Sequence, residues 1–309
     1  DGSHVETLGW NFRNNWEVTV DSIGNIWQSD NDDDGNRSVR INFILEYGNY
    51  GFRDEKTGAR WATPRTGWHD DIAHRHWHQN DPGVVPNLLH TGAGSPTGIT
   101  VYEGTLLNKR LHGQLLHCDA GAGPAVCRAY CVTPHGAGYE ASIVDLVRAT
   151  KQTPWFRPSD VSVAPDGSII IADWYDPGVG GHRHGDTKRG RLYRLTPRDH
   201  NGYRVPTFDV STVEGAVEAL KSPNVATRAA ANLALTSLGQ HAVDDLLQMA
   251  HHANPRFRAR ALWQLGRISG HAEKAIATAA KDTSPNVRAM SVRLARRVQR
   301  PDLCTNVID

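Results

Sequence analysis

Residues 13–51 read RNNWEVTVDSIGNIWQSDNDDDGNRSVRINFILEYGNYG, and this stretch indicates how the first two thirds of the chain fold. Two short runs of alternating β-branched or aromatic and polar residues, 16–20 and 25–29, flank a tight turn at 21–24. A third run follows at 40–47, and Asp, Ser and Gly supply the turn chemistry. The stretch therefore predicts an antiparallel unit the size of a propeller blade, with an acidic loop before its third strand.

The same unit recurs along the chain. Residues 161–175, VSVAPDGSIIIADWY, repeat the order of strand, turn, strand and Asp, and a third copy begins with GITVYEG at 98–104. A short helical or irregular piece is predicted at 139–149, before the last unit. Repeated small sheets favour a radial array. A propeller must close on itself, because an open array leaves unpaired strand edges. We therefore interpret residues 1–200 as part of a β-propeller that continues in a longer protein.

The pattern becomes helical after a polar linker. Runs beginning at Ser222, Asn254 and Ser284 recur at intervals of 32 and 30 residues, each with a Ser or Asn N-cap, Pro at N1 and an Ala/Leu stripe. This arrangement resembles a stack of HEAT repeats. We predict four segments, which are the C-terminal part of a propeller at 1–200, a linker at 201–214, the HEAT-repeat solenoid at 215–300 and a tail at 301–309.

Charge and hydropathy exclude some classes of function. The formal net charge of +1 gives no electrostatic case for nucleic-acid binding. A mean hydropathy of −0.50 and the lack of an apolar run near 18 residues exclude a membrane span in this sequence. Residues 222–300 hold 12 Lys and Arg against 4 Asp and Glu. These basic helices either dock an acidic partner or membrane surface, or carry arginines on solvated faces.

The four cysteines, Cys118, Cys127, Cys131 and Cys304, form no Cys-x-x-Cys motif, so haem attachment and a zinc ribbon are unsupported. Cys118 and Cys127 flank a Gly/Pro-rich hairpin and could lie opposite each other. Either a disulfide or two free buried thiols fits this placement.

Two loops are rich in histidine. We predict an insertion between blades at 54–97, whose side chains either bind a transition metal or line the top of the propeller. Its candidate ligands are His69, Asp70, Asp71, His74, His76 and His78. A Gly-rich excursion at 173–190 adds Asp176, His182 and His184 as site candidates, with a solvated loop as the alternative.

Several motifs carry a family resemblance. Arg13-Asn14 before the first unit, the acidic loop, RINFI at 40–44, YGNYG at 47–51, SPTGITVYEG and FRPSDVSVAPDG are similar to the soluble quinoprotein glucose and sorbosone dehydrogenases. The chain more closely resembles membrane-bound dehydrogenases of planctomycete-type bacteria, where HEAT repeats and a haem-binding domain follow the propeller. The resemblance implies six blades, of which about three to four lie here, and a periplasmic or exported location.

The resemblance also implies a cofactor. Pyrroloquinoline quinone (PQQ) carries three carboxylates, which arginine pairs bidentately, and Ca²⁺ makes its quinone a better hydride acceptor. Arg13, Asn14 and Arg157 match the cofactor-binding positions, although Arg13 and Arg157 could instead cap neighbouring carbonyls. A third cationic position falls near Lys109 or Arg110.

The acidic loop is the predicted calcium site, through Asp30, Asp32, Asp33 and Asp34. Ile41 stands where an EF-hand would need Glu, so the loop is no EF-hand, and an exposed acidic turn is the alternative.

The implied activity is oxidation of a sugar or alcohol by hydride transfer to the calcium-bound quinone, with a haem domain as electron acceptor. The family's base histidine is expected before Asp1, so no catalytic residue is assigned and this chain alone is expected to be inactive. The alternative is a non-catalytic propeller–HEAT scaffold that binds carbohydrate or a protein partner, the latter through its HEAT repeats.

Overall fold

The computed structural model describes residues 2–3, 5–32, 39–121, 125–175 and 188–304. The strands are β1 Gly9–Trp10, β2 Asn15–Val20, β3 Ile26–Asp30, β4 Arg40–Phe43, β5 Gly48–Asn49, β6 Leu89–His90, β7 Pro96–Tyr102, β8 Gln114–Asp119, β9 Val126–His135, β10 Gly138–Arg148, β11 Pro158–Val163, β12 Ile169–Asp173 and β13 Arg191–Leu195. The helices are α1 Ile72–His76, α2 Val213–Leu220, α3 Val225–Leu238, α4 Val243–Met249, α5 Pro255–Leu265, α6 Ala272–Ala280 and α7 Pro285–Arg297. Within the described ranges, none of these helices is long and apolar enough to cross a membrane.

Three antiparallel sheets follow one another along the chain. Their strand orders are β2-β3-β4-β6, β7-β8-β9-β10 and β11-β12-β13, and β1 and β5 form a separate parallel pair. The alternation of buried and half-buried residues is typical of strands in such sheets. In β12, Ile169, Ile171 and Asp173 are buried, while the residues between them are half-buried. The three predicted blade-like units are confirmed as sheets.

The first sheet differs from prediction in its outer half. Its third strand ends at Phe43 rather than residue 47, and Tyr47 has a φ of 63°, which interrupts extended backbone. The fourth strand is β6, which lies near the end of the predicted insertion and pairs with β4. The insertion therefore lies inside one sheet, and the prediction that it separates two blades was wrong.

The segment at 139–149 also differs from prediction. We expected a short helical or irregular piece, but residues 138–148 form β10, which pairs with β9 along its whole length. None of its residues is fully buried, and its apolar side chains face both sides of the sheet, so the alternation that marks a strand with one buried face is missing.

The first strands of the three sheets lie together. The backbone N–H of Ile99 in β7 donates to the carboxylate of Glu17 in β2, at 3.1 Å. Thr97 donates to the carbonyl of Pro158 at the start of β11, at 2.7 Å. Apolar clusters fill the spaces between successive sheets, around Trp27 and Leu115 in one and Leu116 and Ile171 in the other. This packing is what blades around a common axis require, and a ring of six remains a prediction.

The cysteine placement on the second sheet follows the predicted hairpin. Cys118 in β8 is the direct cross-strand partner of Cys127 in β9. Both side chains are buried and both are free thiols, as is the half-buried Cys131. Of the two alternatives, the structure therefore shows thiols rather than a disulfide.

The helices form antiparallel pairs with the predicted caps, with one shift in register. Asn254 and Ser284 are the N-caps of α5 and α7, and Pro occupies the first helical turn of each. In α3 the N-cap is Asn224 instead of Ser222, because the Asn224 side chain accepts from the Thr227 N–H at 2.9 Å.

The helical stack covers one edge of all three sheets. We call this the turn edge, defined by the connections between first and second strands at 21–25, 103–113 and 164–168. Asn224 donates to the carbonyl of Val163, and Arg293 to that of Ile23. Part of the positive charge of the helices is thus used within the chain itself.

Candidate functional site

The second strand of every sheet ends in a buried aspartate. Asp30, Asp119 and Asp173 therefore mark the edge opposite the turn edge, which we call the strand-end edge. Asp30 accepts hydrogen bonds from the backbone N–H groups of Arg13 and Asn14, at 3.2 and 2.7 Å. Asp173 accepts one from the backbone N–H of Arg157, at 2.9 Å. The predicted cofactor residues Arg13 and Arg157 thus occupy equivalent positions in two sheets.

Each strand-end aspartate also faces an arginine in the third strand of its sheet. Asp30 pairs with Arg40 at 2.7 Å, with both side chains fully buried. The corresponding separations are 4.0 Å for Asp119 and Arg128 and 3.7 Å for Asp173 and Arg191. Asp30 therefore has a structural partner, and its assignment as a calcium ligand remains a prediction that competes with this ion pair.

An arginine-lined cleft of about 410 Å³ opens beside Arg13. We call it the arginine cleft. Its described lining residues are three arginines, two aromatic residues and one amide, namely Arg13, Arg53, Arg60, Phe52, Trp61 and Asn14. No acid is among them. A cleft of this size and composition suits a flat, negatively charged organic ligand.

Asn11 joins the two chain segments that build the cleft. Its backbone has a φ of 62°, a left-handed conformation that Asn adopts more readily than most residues. Its side chain donates to the Arg53 carbonyl at 2.7 Å, and the Arg53 N–H donates to its side-chain oxygen at 3.1 Å. These bonds hold Arg53 beside Arg13, although the two residues are far apart in sequence.

The remaining predicted residues are distributed elsewhere. Arg157 does not line the arginine cleft, and its guanidinium donates to the carbonyl of Phe156 at 2.9 Å. Lys109 and Arg110 form a 3₁₀ turn on the turn edge, so neither belongs to the arginine group of the strand-end edge. Five predicted residues lie outside the described part of the chain, namely Asp33, Asp34, Asp176, His182 and His184.

Sequence reasoning missed Arg53, Arg60 and Trp61 as site residues. The only signal was that the insertion carries several Trp and Arg residues in an aperiodic segment. The sequence pattern does not indicate which of these Trp and Arg residues folds back against the first sheet.

Asp119 is the most perturbed acid of the strand-end edge. Burial raises its pKa to about 7, the positive charge of Arg128 offsets part of the effect, and Asp32 adds to the rise. Its carboxylate lies 3.7 Å from His117 and 4.0 Å from Arg128, so neither contact is a close ion pair. Asp32, a predicted calcium ligand, is itself buried.

This pKa predicts an unusual dependence of stability on pH. Because the folded state binds the Asp119 proton more tightly than the unfolded state, the free energy of unfolding falls as pH rises from about 4 to 7. Asp119→Asn removes this titration and is expected to stabilise the protein by about 4 kcal/mol at pH 8, from a shift of roughly three pH units, but by only about 1.5 kcal/mol at pH 5. Urea unfolding of both proteins in chelator-treated buffer at the two pH values measures the difference, and an equal effect at both would contradict it.

The insertion separates its histidines into two groups. His76 and His78 are buried, and His78 contacts Asp81 at 2.7 Å, which in turn pairs with Arg65 at 3.0 Å. His69 and His74 lie on the outer side with Asp71, and the possible ligand atoms of these three residues lie within 4.8 Å of one another. The six predicted ligands therefore do not form one site.

The strand-end edge suits the two predicted ligands, PQQ and Ca²⁺, to different degrees. For a planar tricarboxylate such as PQQ, the three guanidiniums and two aromatic rings of the arginine cleft are suitable. For Ca²⁺, Asp30 fits poorly because Arg40 and two backbone N–H groups already bind its carboxylate. Asp32 and Asp119 are two buried acids of this edge whose charges interact, and carboxylate oxygens are suitable ligands for Ca²⁺.

Comparisons with solved structures give distant similarities. The PQQ-bound form of aldose sugar dehydrogenase from Streptomyces coelicolor is 17% identical with a TM-score of 0.37, and covers 62% of this chain and 45% of its own. A glucose dehydrogenase is 15% identical with a TM-score of 0.42, and covers 66% and 49%. The chain thus spans about half the length of these proteins.

Comparisons by sequence are more specific. No curated protein matches the chain. HEAT repeats match residues 213–279 and 243–309, which confirms the predicted helical solenoid. A domain of unknown function, DUF7133, matches residues 1–199. Because this match covers all three sheets and well over half of the chain, the protein belongs to the DUF7133 family, with HEAT repeats after the shared domain.

Proposed function

We propose that the arginine cleft binds PQQ and that the complete protein is a quinoprotein dehydrogenase acting on a sugar or an alcohol. The observation that supports this most directly is the convergence of Arg13, Arg53 and Arg60 with two aromatic rings on one cleft. The resemblance of the Arg13-Asn14 motif to quinoprotein dehydrogenases identified one of these arginines independently.

The chemistry of the cleft matches the ligand in charge and shape. A guanidinium is planar and can bind a carboxylate through two N–H donors, although Arg13 already donates from Nη1 to the Asn31 carbonyl at 3.1 Å. Phe52 and Trp61 provide apolar walls for a flat ring system, and the exposed Asn14 amide can donate to a further oxygen. Three arginines balance the three carboxylates of the quinone.

The chain's own residues would bind and orient the cofactor. Arg13 is held in place through its backbone contact with Asp30, and Arg53 through Asn11. When bound, the quinone supplies the hydride acceptor for the hydroxyl carbon of the substrate. In this proposal Asp32 and Asp119 contribute oxygen ligands to the cation, a haem domain accepts the electrons, and the protein works in the periplasm or outside the cell.

The proposal predicts quinone binding by the 309-residue chain. We expect saturable binding of PQQ in the presence of Ca²⁺, followed by the change in quinone absorbance. Arg13→Ala and Arg53→Ala should each weaken it about 10- to 100-fold, because each removes a charged hydrogen-bond donor worth about 1.5–3 kcal/mol. Arg110→Ala, on the turn edge, is the matched control and should leave the affinity unchanged.

Two results would contradict the proposal. One is the absence of quinone binding, and the other is binding that both cleft variants retain. Binding of sugars or a protein by a chain that takes up no quinone would favour the non-catalytic scaffold instead. Arg157→Ala, tested alongside, decides whether the second strand-end arginine belongs to the same site.

A further inference from the structure

His69, Asp71 and His74 lie together on the outer surface of the insertion, and none of the three lines the arginine cleft. The Nδ1 atom of His74 lies 2.8 Å from the Asp71 carboxylate, and the backbone N–H of Asp71 donates to Nδ1 of His69 at 3.0 Å. The two imidazole rings face each other with centroids 4.8 Å apart. We propose that these three side chains bind one divalent transition-metal ion, such as Zn²⁺.

The donor set favours such an ion. Two imidazole nitrogens and one carboxylate oxygen suit zinc and other transition metals, whereas Ca²⁺ and Mg²⁺ prefer oxygen ligands alone. Three protein ligands also leave a coordination position for water. The two histidines provide the preference for a transition metal, because the same loop without its two imidazoles would be only an acidic turn.

The ligand atoms already face one another. Nδ1 of His69 carries one lone pair, which accepts the Asp71 N–H, and a metal ion bound there would replace this hydrogen bond. Nδ1 of His74 shares a hydrogen with the Asp71 carboxylate, and a metal ion can take the place of that hydrogen. Metal–ligand bonds of about 2.0–2.2 Å require donor atoms on the order of 3.3 Å apart, so the cluster needs only a modest contraction.

The surroundings hold the cluster in place. Arg75 donates to the backbone carbonyls of His69 and Asp70, at 3.2 and 3.4 Å, and its guanidinium stacks over the ring of Trp68 at 4.2 Å. Asp71 is also the N-cap of α1, where its carboxylate accepts from the His74 N–H at 3.1 Å. The backbone positions of all three ligands are therefore fixed before a metal binds.

A fourth histidine forms a wall beside the cluster. The His90 ring lies edge-on to His74 with centroids 5.5 Å apart, and its Nε2 contacts the Asn87 amide at 2.7 Å. Asn87 occupies the acceptor nitrogen of His90, which keeps this ring outside the ligand set.

The experiment is a titration of the untagged, chelator-treated chain with ZnCl₂, followed by calorimetry. One binding site is expected, with the affinity reduced about 10-fold or more in His69→Ala, His74→Ala and Asp71→Asn. Asp71→Asn keeps an oxygen that can cap α1, so it removes the charged ligand without removing the cap. Circular dichroism of each variant confirms that it is folded.

His135→Ala is the matched control. His135 is exposed and lies 3.3 Å from the Glu140 carboxylate, so it reproduces a histidine–carboxylate pair without a third ligand. Its loss should not change the affinity for Zn²⁺. A second measurement uses the midpoint of thermal unfolding, which ZnCl₂ should raise in the wild type and His135→Ala but not in Asp71→Asn. Absence of saturable binding, or binding that survives in all three ligand variants, would overturn the proposal.

Discussion

Replacing Glu103 by Gln is expected to lower the free energy of unfolding by about 3–5 kcal/mol, the cost of leaving a buried charge without its partner. The side chain follows β7 on the turn edge and is almost completely buried. It accepts from the N–H and hydroxyl of Ser22, at 2.9 and 2.7 Å, and pairs with Arg260 at 3.1 Å and Arg228 at 3.3 Å. Both arginines belong to the helical stack.

The arginines would suffer most from this substitution. Arg260 is buried, and it also donates to three carbonyls at the end of α2, those of Leu220, Lys221 and Ser222. Burial lowers its pKa to about 10, and the negative charge of Glu103 opposes that shift. Without this charge, two buried guanidiniums repel each other at the junction of sheets and helices.

Urea unfolding at pH 7, followed separately by tryptophan fluorescence and circular dichroism, measures the loss. Glu218→Gln is the control, because Glu218 is exposed and pairs with Lys221 of the same turn, so its effect should stay within about 0.5 kcal/mol. A change below about 1 kcal/mol in Glu103→Gln would show that the junction does not depend on this charge.

The same residue predicts a loss of stability in acid. Burial alone would raise the pKa of Glu103, but Arg260, Arg228 and the Ser22 hydrogen bonds outweigh it, and the pKa is lowered. The stabilisation is therefore present above the unfolded-state pKa of about 4.3 and is lost as pH falls through the lower folded-state value. Glu103→Gln should flatten this acid dependence.

The second large effect is expected for Arg40→Met, also about 3–5 kcal/mol. Arg40 is fully buried, donates to Asp30 from two nitrogens at 3.0 and 2.7 Å and to the carbonyl of Tyr50, and stacks over Trp77 at 3.9 Å. Methionine fills much of the volume but leaves the Asp30 carboxylate buried without its counter-charge.

Arg191→Met provides the matched control for this prediction. Arg191 faces Asp173 in the third sheet as Arg40 faces Asp30 in the first, but at 3.7 Å and with 38% of its side chain exposed. Its replacement should cost about 1 kcal/mol or less, including its contact with the Trp155 ring. If both variants lost the same free energy of unfolding, burial would not be what sets the strength of these ion pairs.

Local sequence patterns predicted the elements whose partners are near in the chain. The two-residue alternation in β2, β3, β11 and β12 and the Pro-containing starts of α5 and α7 are visible without any tertiary information. The outer strand β10 was missed because it buries no complete face. Its half-buried apolar residues pack on both core clusters, Tyr139 and Ala141 on one and Val144, Leu146 and Val147 on the other, so they do not follow a simple two-residue alternation.

The candidate sites depended on contacts that no local pattern encodes. Arg13 was identified from its motif, but Arg53 reaches it only through the side chain of Asn11. The convergence of His69, Asp71 and His74 depends on a single short helix that begins at Ile72. Glu103 meets Arg260 across 157 residues of sequence, and its isolated position after β7 gave no reason to expect a buried charge.

The margin of the first sheet has a consequence for self-association. Its outermost member, β6, contains two residues, and both pair with β4. Two residues expose very few backbone donors and acceptors to a strand of a second molecule. Intermolecular β-pairing is therefore disfavoured at this edge. The short β6 strand thus covers the edge of β4, which would otherwise be available for fibril growth.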